Sequence, residues 1–468
     1  MNDNGNDNNN SISSIFKAYD IRGKVGSELN AEVVGNIGQA FASWLPDGAG
    51  GTDGSKGTIA VGRDMRPDSA ELATALIEGV RAQGYDVYDI GQVTSDMIYF
   101  VVGNFQLAGG AMITASHNPG EYNGIKLCRE EARPVGQDTG LFDIRDAVLA
   151  ADFTPATYQG TVEDKDVVEA WIQHTLSFIE ADKLKPLSIA VDAGNGMAGK
   201  IFPELEPYVP WDVTEMYFEL DGTFPNHEAN PLNFETLTDM IKVIQDNQLD
   251  GGIAFDGDGD RAFLVDETGT VIPGNVMISL ISEYFLGRFP SSAILYDVRV
   301  SKSVRELIEA KGGKPIRTKV GHSFIKQIMR EENAPFGGEV SGHFYFRDNF
   351  FADSGLIAAV ISLYVAGLPA YEGKKLSEIR EMYTKYPSIP ETNFVVEDKA
   401  SALSRLETAF TNAQFDRLDG LTGILDNGSW FNVRASNTEP VLRLNAEATT
   451  QEDLDALVEK ATTVIQGA

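Results

Sequence analysis

The chain of 468 residues carries a formal net charge of −31, and 43% of its residues are hydrophobic. This length exceeds what one hydrophobic core normally supports and suggests about three or four domains. The hydrophobic content is ordinary for a globular protein in water. An acidic chain of this kind lacks the basic surface that binds nucleic acid or anionic lipid. We therefore expect a small-molecule ligand, with no nucleic-acid and no membrane partner.

Three further features predict a cytoplasmic location. The single cysteine, Cys128, excludes an internal disulfide, fits a reducing compartment and is expected to pack in a core. Residues 1–10 contain no basic or apolar block, which is typical of a disordered tail and not of a signal peptide. The longest nearly apolar run, Gly355–Leu368, is too short to span a bilayer and is interpreted as a buried helix.

Strand-like and helix-like segments alternate along most of the chain. The predicted strands are Thr58–Gly62, Tyr85–Ile90, Leu187–Val191, Asp250–Phe255 and Ala293–Tyr296. The predicted helices between them include Ser69–Gln83 and Ser303–Ala310. This alternation indicates parallel βαβ units in three successive blocks. The last block differs, because it reads as helix Ser401–Ala413, then strands Gly423–Asp426, Ser429–Val433 and Val441–Ala446, then helix Glu452–Ile465, an α+β pattern.

Ser116 lies in the run ITASHNP at residues 113–119, after a short apolar stretch. Pro119 fixes its own φ and moves Asn118 out of helical geometry, so the run predicts a turn. The serine is then expected at an exposed loop tip. From this run alone it is either a reactive hydroxyl or a polar residue in a turn between strand and helix.

Three aspartates alternate with glycine in the run DGDGDR at residues 256–261. Such carboxylates can converge on one hard cation and leave room for water and a phosphate oxygen, which suits Mg²⁺. An EF-hand would use Glu267 at position 12, but position 6 is Arg261 where glycine is required, and Ala262–Val265 reads as a strand. An acidic turn without metal is the remaining alternative.

The run GNGMAG at residues 194–199 matches the dinucleotide-binding pattern, with Glu215 about where a ribose-binding acid would lie. A nicotinamide-dependent oxidoreductase is therefore an alternative. However, Pro203 is expected to interrupt the helix that this pattern requires. The sequence also offers no evident site for hydride transfer.

Two further loops carry groups suited to oxygen-rich ligands. The run GGEVSGH at residues 337–343 combines a carboxylate, a hydroxyl and an imidazole, which suit sugar hydroxyls. The run RASNTEP at residues 434–440 presents a guanidinium with three small hydrogen-bonding side chains, which suit a phosphate. Taken alone, each run could also be an ordinary loop.

Together with the opening run FKAYDIRG at residues 16–23, these loops resemble those of the α-D-phosphohexomutases, in the same order. Within that family the chain is most similar to the bacterial phosphomannomutase and phosphomannomutase/phosphoglucomutase branch. The resemblance implies an α/β fold of four domains around a central cleft, three α/β domains with mixed sheets and a C-terminal α+β domain. The expected boundaries are a disordered tail at 1–14, domain I with the phosphoserine loop at 15–160, domain II with the metal-binding loop at 161–270, domain III with the sugar-binding loop at 271–383 and domain IV with the phosphate-binding loop at 384–468.

Carried over residue by residue, the resemblance also implies the site. The residues implied in catalysis are Ser116, His117, Lys126, Arg261 and His322. The implied ligands of Mg²⁺ are Ser116, through a phosphate oxygen, and Asp256, Asp258 and Asp260. The implied substrate-binding residues are Tyr19, Arg22, Lys319, Glu339, Ser341, His343, Arg434, Ser436, Asn437 and Thr438.

The implied roles form one reaction. Ser116 is the phosphoserine, Lys126 is a candidate general acid/base, and Glu339 with Ser341 holds O3 and O4 of the sugar. The expected activity is reversible conversion of mannose 6-phosphate and mannose 1-phosphate through a 1,6-bisphosphate, with a hexose 1,6-bisphosphate as activator. A dual mannose/glucose enzyme, a phosphoglucomutase and a pseudoenzyme that only binds sugar phosphates are alternatives. Phosphoglucosamine mutases typically have Gln in place of Val340 and the phosphate loop SGTEP, whereas this chain has SNTEP at residues 436–440, which favours the mannose/glucose group. A monomer or homodimer is expected.

Overall fold

A computed structural model describes residues 11–46, 54–436 and 441–467. The chain divides into two compact units, one of Met1–Ile272 with Ser341–Ser377 and one of Pro273–Val340 with Glu378–Ala468. Residues 1–10 of the predicted tail lie outside the described residues, whereas residues 11–14 are helical and Ile12 packs against the adjacent core. Within the described ranges, no helix is both long enough and apolar enough to cross a membrane.

The first domain is a mixed sheet flanked by helices. Its strands are β1 Ile21–Lys24, β2 Thr58–Arg63, β3 Asp86–Gln92, β4 Gly109–Ile113, β5 Tyr122–Arg129, β6 Arg133–Pro134 and β7 Val162–Asp164. They lie in the order β1-β5-β4-β2-β3-β7, with β6 paired to β5. Strands β2, β3, β4 and β7 pair in parallel, and β5 pairs antiparallel to β1 and β4. The helices are α1 Ala31–Trp44, α2 Ser69–Ala82, α3 Ser95–Asn104 and α4 Leu141–Ala150.

Helix α1 shows why these segments fold as they do. The Asn30 side chain accepts a hydrogen bond from the Val33 backbone N–H at 3.0 Å and caps the first turn. Val34, Ile37 and Phe41 recur at helical spacing and are fully buried against the sheet. Each buried side chain of this size contributes roughly 1.5–3 kcal/mol to folding.

The second domain places an acidic hairpin at the edge of a smaller mixed sheet. Its strands are β8 Leu187–Asp192, β9 Trp211–Met216, β10 Gly251–Phe255 and β11 Ala262–Asp266, in the order β11-β10-β8-β9. Strand β8 is parallel to β9 and β10, and β10 is antiparallel to β11. The helices are α5 Val168–Leu176, α6 Ala198–Leu205 and α7 Thr238–Asn247.

This domain tests two expectations from the sequence, the EF-hand alternative and the helix break at Pro203. The DGDGDR run joins two antiparallel strands and has no flanking helices, so it is not an EF-hand, and Glu267 instead accepts hydrogen bonds from Ser377. The expected break at Pro203 is wrong, because α6 continues through it to Leu205. The missing N–H of Pro203 removes one hydrogen bond of α6, and burial of Ala198, Ile201, Phe202 and Leu205 on one face holds the helix in place.

The rest of the first unit is the strand pair β15 Phe344–Phe346 and β16 Ala352–Asp353, antiparallel, and helix α11 Gly355–Ala366. In the second unit, β12 Ala293–Asp297 pairs in parallel with β13 Lys314–Thr318 and with β14 Phe336–Gly338. Helices α8 Gly274–Arg288, α9 Lys302–Ala310 and α10 His322–Glu332 accompany these strands, and α12 spans Leu376–Tyr383.

The C-terminal domain is an antiparallel sheet with two helices in its described part. Its strands, β17 Thr392–Val395, β18 Gln414–Asp416, β19 Leu421–Ile424, β20 Trp430–Ala435 and β21 Val441–Glu447, lie in the order β17-β21-β20-β19-β18. Helices α13 Lys399–Ala409 and α14 Gln451–Gln466 pack their apolar faces on it. The predicted fold class, three α/β domains with mixed sheets and a C-terminal α+β domain, is confirmed.

The sequence pattern predicted which helices and strands form more closely than it predicted where they begin and end. The predicted strand Gly423–Asp426 is shifted, because the chain already turns after Ile424, where Leu425 N–H donates to Ser429 at 2.9 Å. The predicted buried helix at 355–368 is α11, whose residues 355–365 are buried. Cys128 is fully buried, as expected.

Candidate active site

Ser116 stands at the end of β4 with a left-handed backbone, φ 50°. Its N–H donates to Thr114 Oγ1 at 2.9 Å, which holds the turn, and its hydroxyl donates to Asp256 Oδ2 at 2.9 Å. The expectation of an exposed loop tip is wrong, because Ser116 is only 4% exposed. Neighbouring loops cover the serine and leave its hydroxyl among charged groups.

Arg66 holds the serine loop through the loop's backbone oxygens, and this role was not predicted from the sequence. Its guanidinium donates to the backbone oxygens of Ser116 at 3.0 Å, Asn118 at 2.6 Å, Pro119 at 2.9 Å and Tyr122 at 2.8 Å. Arg66 follows β2, which is parallel and adjacent to β4, so both loops leave the same edge of the sheet. A single sequence does not show that strand order, so the role of Arg66 was not predicted.

The aspartate loop approaches the serine loop through a glycine. A Cβ on Gly257 would lie 2.5 Å from the Ser116 carbonyl oxygen, so only glycine fits there without a shift. The loop is supported in turn by the GNGMAG run, where Met197 N–H donates to the Gly257 oxygen at 2.9 Å. A Cβ on Gly196 would lie 2.6 Å from that same oxygen. The glycine pattern therefore admits a neighbouring backbone and not a dinucleotide.

Three buried carboxylates, Asp256, Asp258 and Asp260, meet the buried Arg261 and the half-buried Lys126. Lys126 Nζ, on β5, donates to Asp258 Oδ2 at 2.6 Å and Asp260 Oδ2 at 2.5 Å. Arg261 Nε donates to Asp256 Oδ2 at 2.8 Å and lies 3.8 Å from Asp260 Oδ1. Charges removed from water in this way are stable only when paired and hydrogen-bonded.

Burial and these ion pairs together shift the pKa values of Asp256 and Asp258 in opposite directions. Burial raises the pKa of Asp256 to about 7, because the neighbouring Asp260 and Asp258 add to it and Arg261 offsets only part. Burial also opposes ionisation of Asp258, but Lys126 and the Ser95 hydroxyl outweigh it and hold the Asp258 pKa far below its usual value. Neighbouring acids are thus driven to different protonation.

This arrangement fits a divalent cation. Ligand atoms of Asp256, Asp258 and Asp260 lie within 4.8 Å of one another. Asp258 Oδ1 and Asp260 Oδ1 are buried and accept no hydrogen bond. Oxygen ligands left unsatisfied in a buried cluster are what a hard cation requires. The metal ligands predicted from the sequence are therefore brought together.

Two predicted histidines join the cluster. His117 Nδ1 lies 3.1 Å from Ser116 Oγ and accepts a hydrogen bond from Arg261. Arg261 and burial together lower the His117 pKa well below its usual value, so the ring is neutral. His343 Nδ1 lies 2.8 Å from Asp353 Oδ2, and together with Asp260 these side chains offer ligand atoms within 4.8 Å of one another.

The N-terminal element also reaches these charges. Arg22, on β1, donates to Asp20 at 2.8 Å, and its buried NH1 group makes no hydrogen bond. Burial opposes the charge of Arg22, but Asp20, Asp258 and Asp260 raise its pKa. Tyr19 is half-buried in the turn before β1.

Two helix N-termini frame the aspartate loop. Ser95, the first residue of α3, donates through its hydroxyl to Asp258 Oδ2 at 2.5 Å and through its N–H to the Asp258 oxygen at 2.9 Å. Ser354 caps α11 and donates to Asp96 Oδ2 at 2.6 Å, while Thr94 donates to Asp96 Oδ1 at 2.5 Å. Burial raises the pKa of Asp96 to about 8 in spite of these two hydroxyls.

The second unit carries the predicted sugar-binding loop. Glu339 is 2% exposed and accepts from Gly321 N–H at 3.0 Å, which joins it to the loop that opens α10 at His322. Lys319 Nζ lies 5.4 Å from the centre of the Phe324 ring. Arg299 is bound to Asp297 through two contacts of 2.9 Å and lies 3.7 Å from Glu339. Ser341, on the same run, belongs to the first unit and is half-buried.

The predicted phosphate loop begins at Arg434 on β20, which is 5% exposed. Its guanidinium donates to Glu391 Oε2 at 2.5 Å, a partner that the sequence analysis missed. Ser436 N–H donates to the Val441 oxygen at 3.0 Å. Asn437 and Thr438 lie outside the described residues.

Comparison with known proteins identifies the family. Phosphoglucomutase/phosphomannomutase models match as alpha/beta/alpha domain I at 13–155, domain II at 169–269, domain III at 273–386 and the C-terminal domain at 391–464. A protein of Xanthomonas campestris pv. campestris (strain B100) described as "Phosphohexose mutases" is 41% identical over 92% of this chain and 94% of its own. The chain belongs to the phosphoglucomutase/phosphomannomutase family.

Other members agree with this placement. The phosphomannomutase of Salmonella montevideo is 40% identical and that of Escherichia coli (strain K12) 39%, each over 93% of this chain and 95% of its own. A solved structure of a family protein from Burkholderia thailandensis superposes with a TM-score of 0.87 at 32% identity, covering 97% of this chain and 98% of that one. The chain is therefore a phosphohexomutase, and its acidic cluster is of a kind that can hold a metal ion.

We expect Gly257→Ala to damage the site, because its Cβ would meet the Ser116 carbonyl oxygen at 2.5 Å and push the two loops apart. Mutase activity should fall by at least about tenfold, since a displacement of about 1 Å costs roughly 10²-fold. Gly287→Ala, a helical site with nothing within 4 Å of the added Cβ, is the control and should remain fully active. Full activity of Gly257→Ala would show that the two loops do not need this close approach.

The buried acid Asp96 predicts a pH dependence of stability. Its pKa is raised to about 8 in the folded chain from 3.8, so the unfolded chain ionises first. The contribution of Asp96 to stability is then fully present below about pH 4 and is lost as pH rises toward about 8, by up to about 1.4 kcal/mol per pH unit. Asp96→Asn, which stays neutral, should gain stability relative to the parent chain as pH rises.

Urea denaturation between pH 5 and 8.5 measures this difference. Asp212→Asn, at an exposed position on β9, carries the same charge change and should follow the parent profile. Parallel profiles for Asp96→Asn and the parent would mean that Asp96 is ionised in the fold.

Proposed function

We propose that this phosphohexomutase is a phosphomannomutase that interconverts mannose 6-phosphate and mannose 1-phosphate. The observation that carries the proposal is the buried Ser116 hydroxyl, 2.9 Å from Asp256 and surrounded by carboxylates and cations. Such a hydroxyl can carry a phosphoryl group, because the neighbouring cations Lys126 and Arg261 can turn from the carboxylates to the phosphate oxygens. Phosphomannomutases 39–40% identical over 93% of the chain support mannose as the sugar.

In this proposal the phosphorylated Ser116 transfers its phosphoryl group to the free hydroxyl of a hexose monophosphate. The 1,6-bisphosphate turns round in the site, and Ser116 recovers the other phosphoryl group. Atoms balance over the cycle, because the proton lost by the attacking sugar hydroxyl returns to the oxygen freed in the second transfer. A hexose 1,6-bisphosphate would charge an empty Ser116 and so act as activator.

Mg²⁺ is the cofactor we propose for Asp256, Asp258 and Asp260, together with a phosphate oxygen on Ser116. When bound, it would offset negative charge on the transferring phosphoryl group. Arg261, already beside Asp256, would add a fixed positive charge at the same place. His117, neutral and held by Arg261, would orient the serine loop.

Lys126 is proposed as the group that holds and returns the proton of the sugar hydroxyl. Burial opposes its charge, but Asp258 and Asp260 hold the Lys126 pKa well above its usual value. Lys126 would be held less firmly, and would be closer to proton transfer, when those carboxylates bind a cation. Acid/base help of this kind is worth roughly 10² to 10⁴ in rate.

Substrate recognition is proposed for the remaining predicted residues. Glu339 and Ser341 would hold O3 and O4, which glucose and mannose share, so a dual mannose/glucose enzyme is the second candidate. The residues proposed to grip the phosphate that is not transferred are Arg434, Ser436, Asn437 and Thr438. The residues proposed to contact the substrate elsewhere are Tyr19, Arg22, Lys319, His322 and His343. We further propose a cytoplasmic enzyme that is a monomer or homodimer.

We expect Ser116→Ala to lose nearly all turnover of mannose 1-phosphate, because the change removes the hydroxyl that donates to Asp256 and would carry the phosphoryl group. Ser177→Ala, an exposed serine in the same unit, should keep full activity. The measurement is steady-state kinetics with Mg²⁺ and with mannose, glucose and N-acetylglucosamine 1-phosphates side by side. Mannose 1-phosphate should give the highest kcat/KM for the parent chain.

The alternatives give different results in the same assay. Comparable kcat/KM for glucose and mannose would favour the dual enzyme. Full activity of Ser116→Ala would contradict the proposal. Absence of turnover in the parent chain, with sugar phosphate still bound, would indicate the pseudoenzyme.

A further inference from the structure

Two arginines of the C-terminal domain face each other across neighbouring strands. Arg434 on β20 is in register with Arg443 on β21. On the other side of β21, Thr392 is in register with Leu444, which brings Glu391, just before β17, beside Asn445. The strand register thus places two guanidinium groups and one carboxylate side by side on the sheet.

The carboxylate of Glu391 joins both arginines. Its Oε2 accepts from Arg434 at 2.5 Å and from Asn445 Nδ2 at 3.0 Å, and its Oε1 accepts from Arg443 at 3.2 Å. Like charges placed directly opposite one another on a sheet repel. Glu391 therefore acts as the counter-ion that allows the arginine pair to form.

Charged groups of both signs surround Arg434. Two guanidinium groups share one carboxylate, and a third, Arg299, lies close enough to lower the pKa of Arg434 after burial itself. Arg299 is already held by Asp297 at 2.9 Å and 2.9 Å. Asp297 and Asp419 act on the pKa of Arg434 in the opposite direction to Arg299, so unsatisfied guanidinium donors, and not net charge, favour a further anion.

The site is also open to a ligand and incompletely satisfied. Arg434 Nε is buried and makes no hydrogen bond, although its residue is only 5% exposed. The side chains of Glu391 and Arg443 are 26% and 25% exposed, so an anion can reach them from solvent. A buried donor without an acceptor points to a ligand that supplies one.

We propose that Glu391 is an internal counter-ion of the Arg434–Arg443 pair that a substrate phosphate displaces, and that Arg443 is a phosphate-binding residue beside Arg434. In the absence of substrate the carboxylate occupies the guanidinium donors that a phosphate would use. Binding of a phosphate dianion exchanges one carboxylate for a group with more charge and more acceptor oxygens.

This exchange has a kinetic consequence, which rests on the proposed function. A mutase must release one phosphate of the bisphosphate and bind the other at the same place. A carboxylate that returns to the arginines as the phosphate leaves lowers the affinity and speeds that release. Glu391 would thus keep the phosphate site from holding the intermediate too tightly.

The experiment is calorimetric titration of the full chain with inorganic phosphate, without turnover. Glu391→Gln keeps the side-chain shape and removes its charge, and we expect phosphate to bind about tenfold tighter. Glu407→Gln makes the same charge change at a surface pair with Arg417, 2.5 Å long, and should leave phosphate affinity unchanged. Arg443→Gln should weaken phosphate binding and abolish the gain from Glu391→Gln in the double variant.

Unchanged or weaker phosphate binding by Glu391→Gln would overturn the proposal, since Glu391 would then only position Arg434. An equal gain in Glu407→Gln would also overturn it, because net charge alone would explain the effect. Circular dichroism and the thermal midpoint of each variant identify loss of folding, and Glu391→Asp provides a second variant that keeps the charge and should retain parent-like affinity.

Kinetics then separate this proposal from the mutase proposal. With mannose 1-phosphate, Glu391→Gln should lower KM and also lower kcat, because release becomes slower. If Glu391→Gln binds phosphate more tightly while the parent chain has no mutase activity, the counter-ion proposal is supported and the proposed function is contradicted. A lower KM with unchanged kcat would contradict the role in release.

Discussion

The cost of burying three carboxylates on one short hairpin governs the architecture around Ser116. Asp256, Asp258 and Asp260 are 0–3% exposed, and isolated charges at that depth would not be stable. The chain meets this constraint with Lys126 from β5 and Arg261 beside β11. Because these partners come from two different domains, neutralising the carboxylates also fixes the serine loop against the aspartate loop.

The sequence anticipated the chemistry of each loop better than its surroundings. The resemblance to the α-D-phosphohexomutases implied that the serine and aspartate runs act together, although they follow strands of two different sheets. Arg66 and Glu391 escaped notice because their roles depend on strand order and register, which a single sequence does not show. The burial of Ser116 was missed for the same reason, since its cover comes from residues far away in the chain. The glycine pattern of the GNGMAG run had suggested a dinucleotide site, but its packing against the Gly257 backbone explains the glycines without a ligand.

Both units use the same electrostatic device. In the first, Lys126 occupies carboxylates that are suited to a cation. In the second, Glu391 occupies guanidinium groups that are suited to an anion. On both proposals, these internal partners pair with the charged side chains in the absence of ligand, and a ligand of the same sign as the internal partner would take its place. Binding would then be an exchange of ion pairs, which would limit the free energy gained and favour rapid turnover.

The central claim is that Ser116 carries the phosphoryl group, and peptide mass spectrometry after rapid quenching tests it most directly. The chain would be mixed with glucose 1,6-bisphosphate and Mg²⁺, quenched within one turnover and digested. The account predicts a phosphoryl group on Ser116 that disappears when a hexose monophosphate is added and appears as bisphosphate. A chain that converts the sugar phosphate while Ser116 stays unmodified, or a phosphoryl group on another residue, would contradict it.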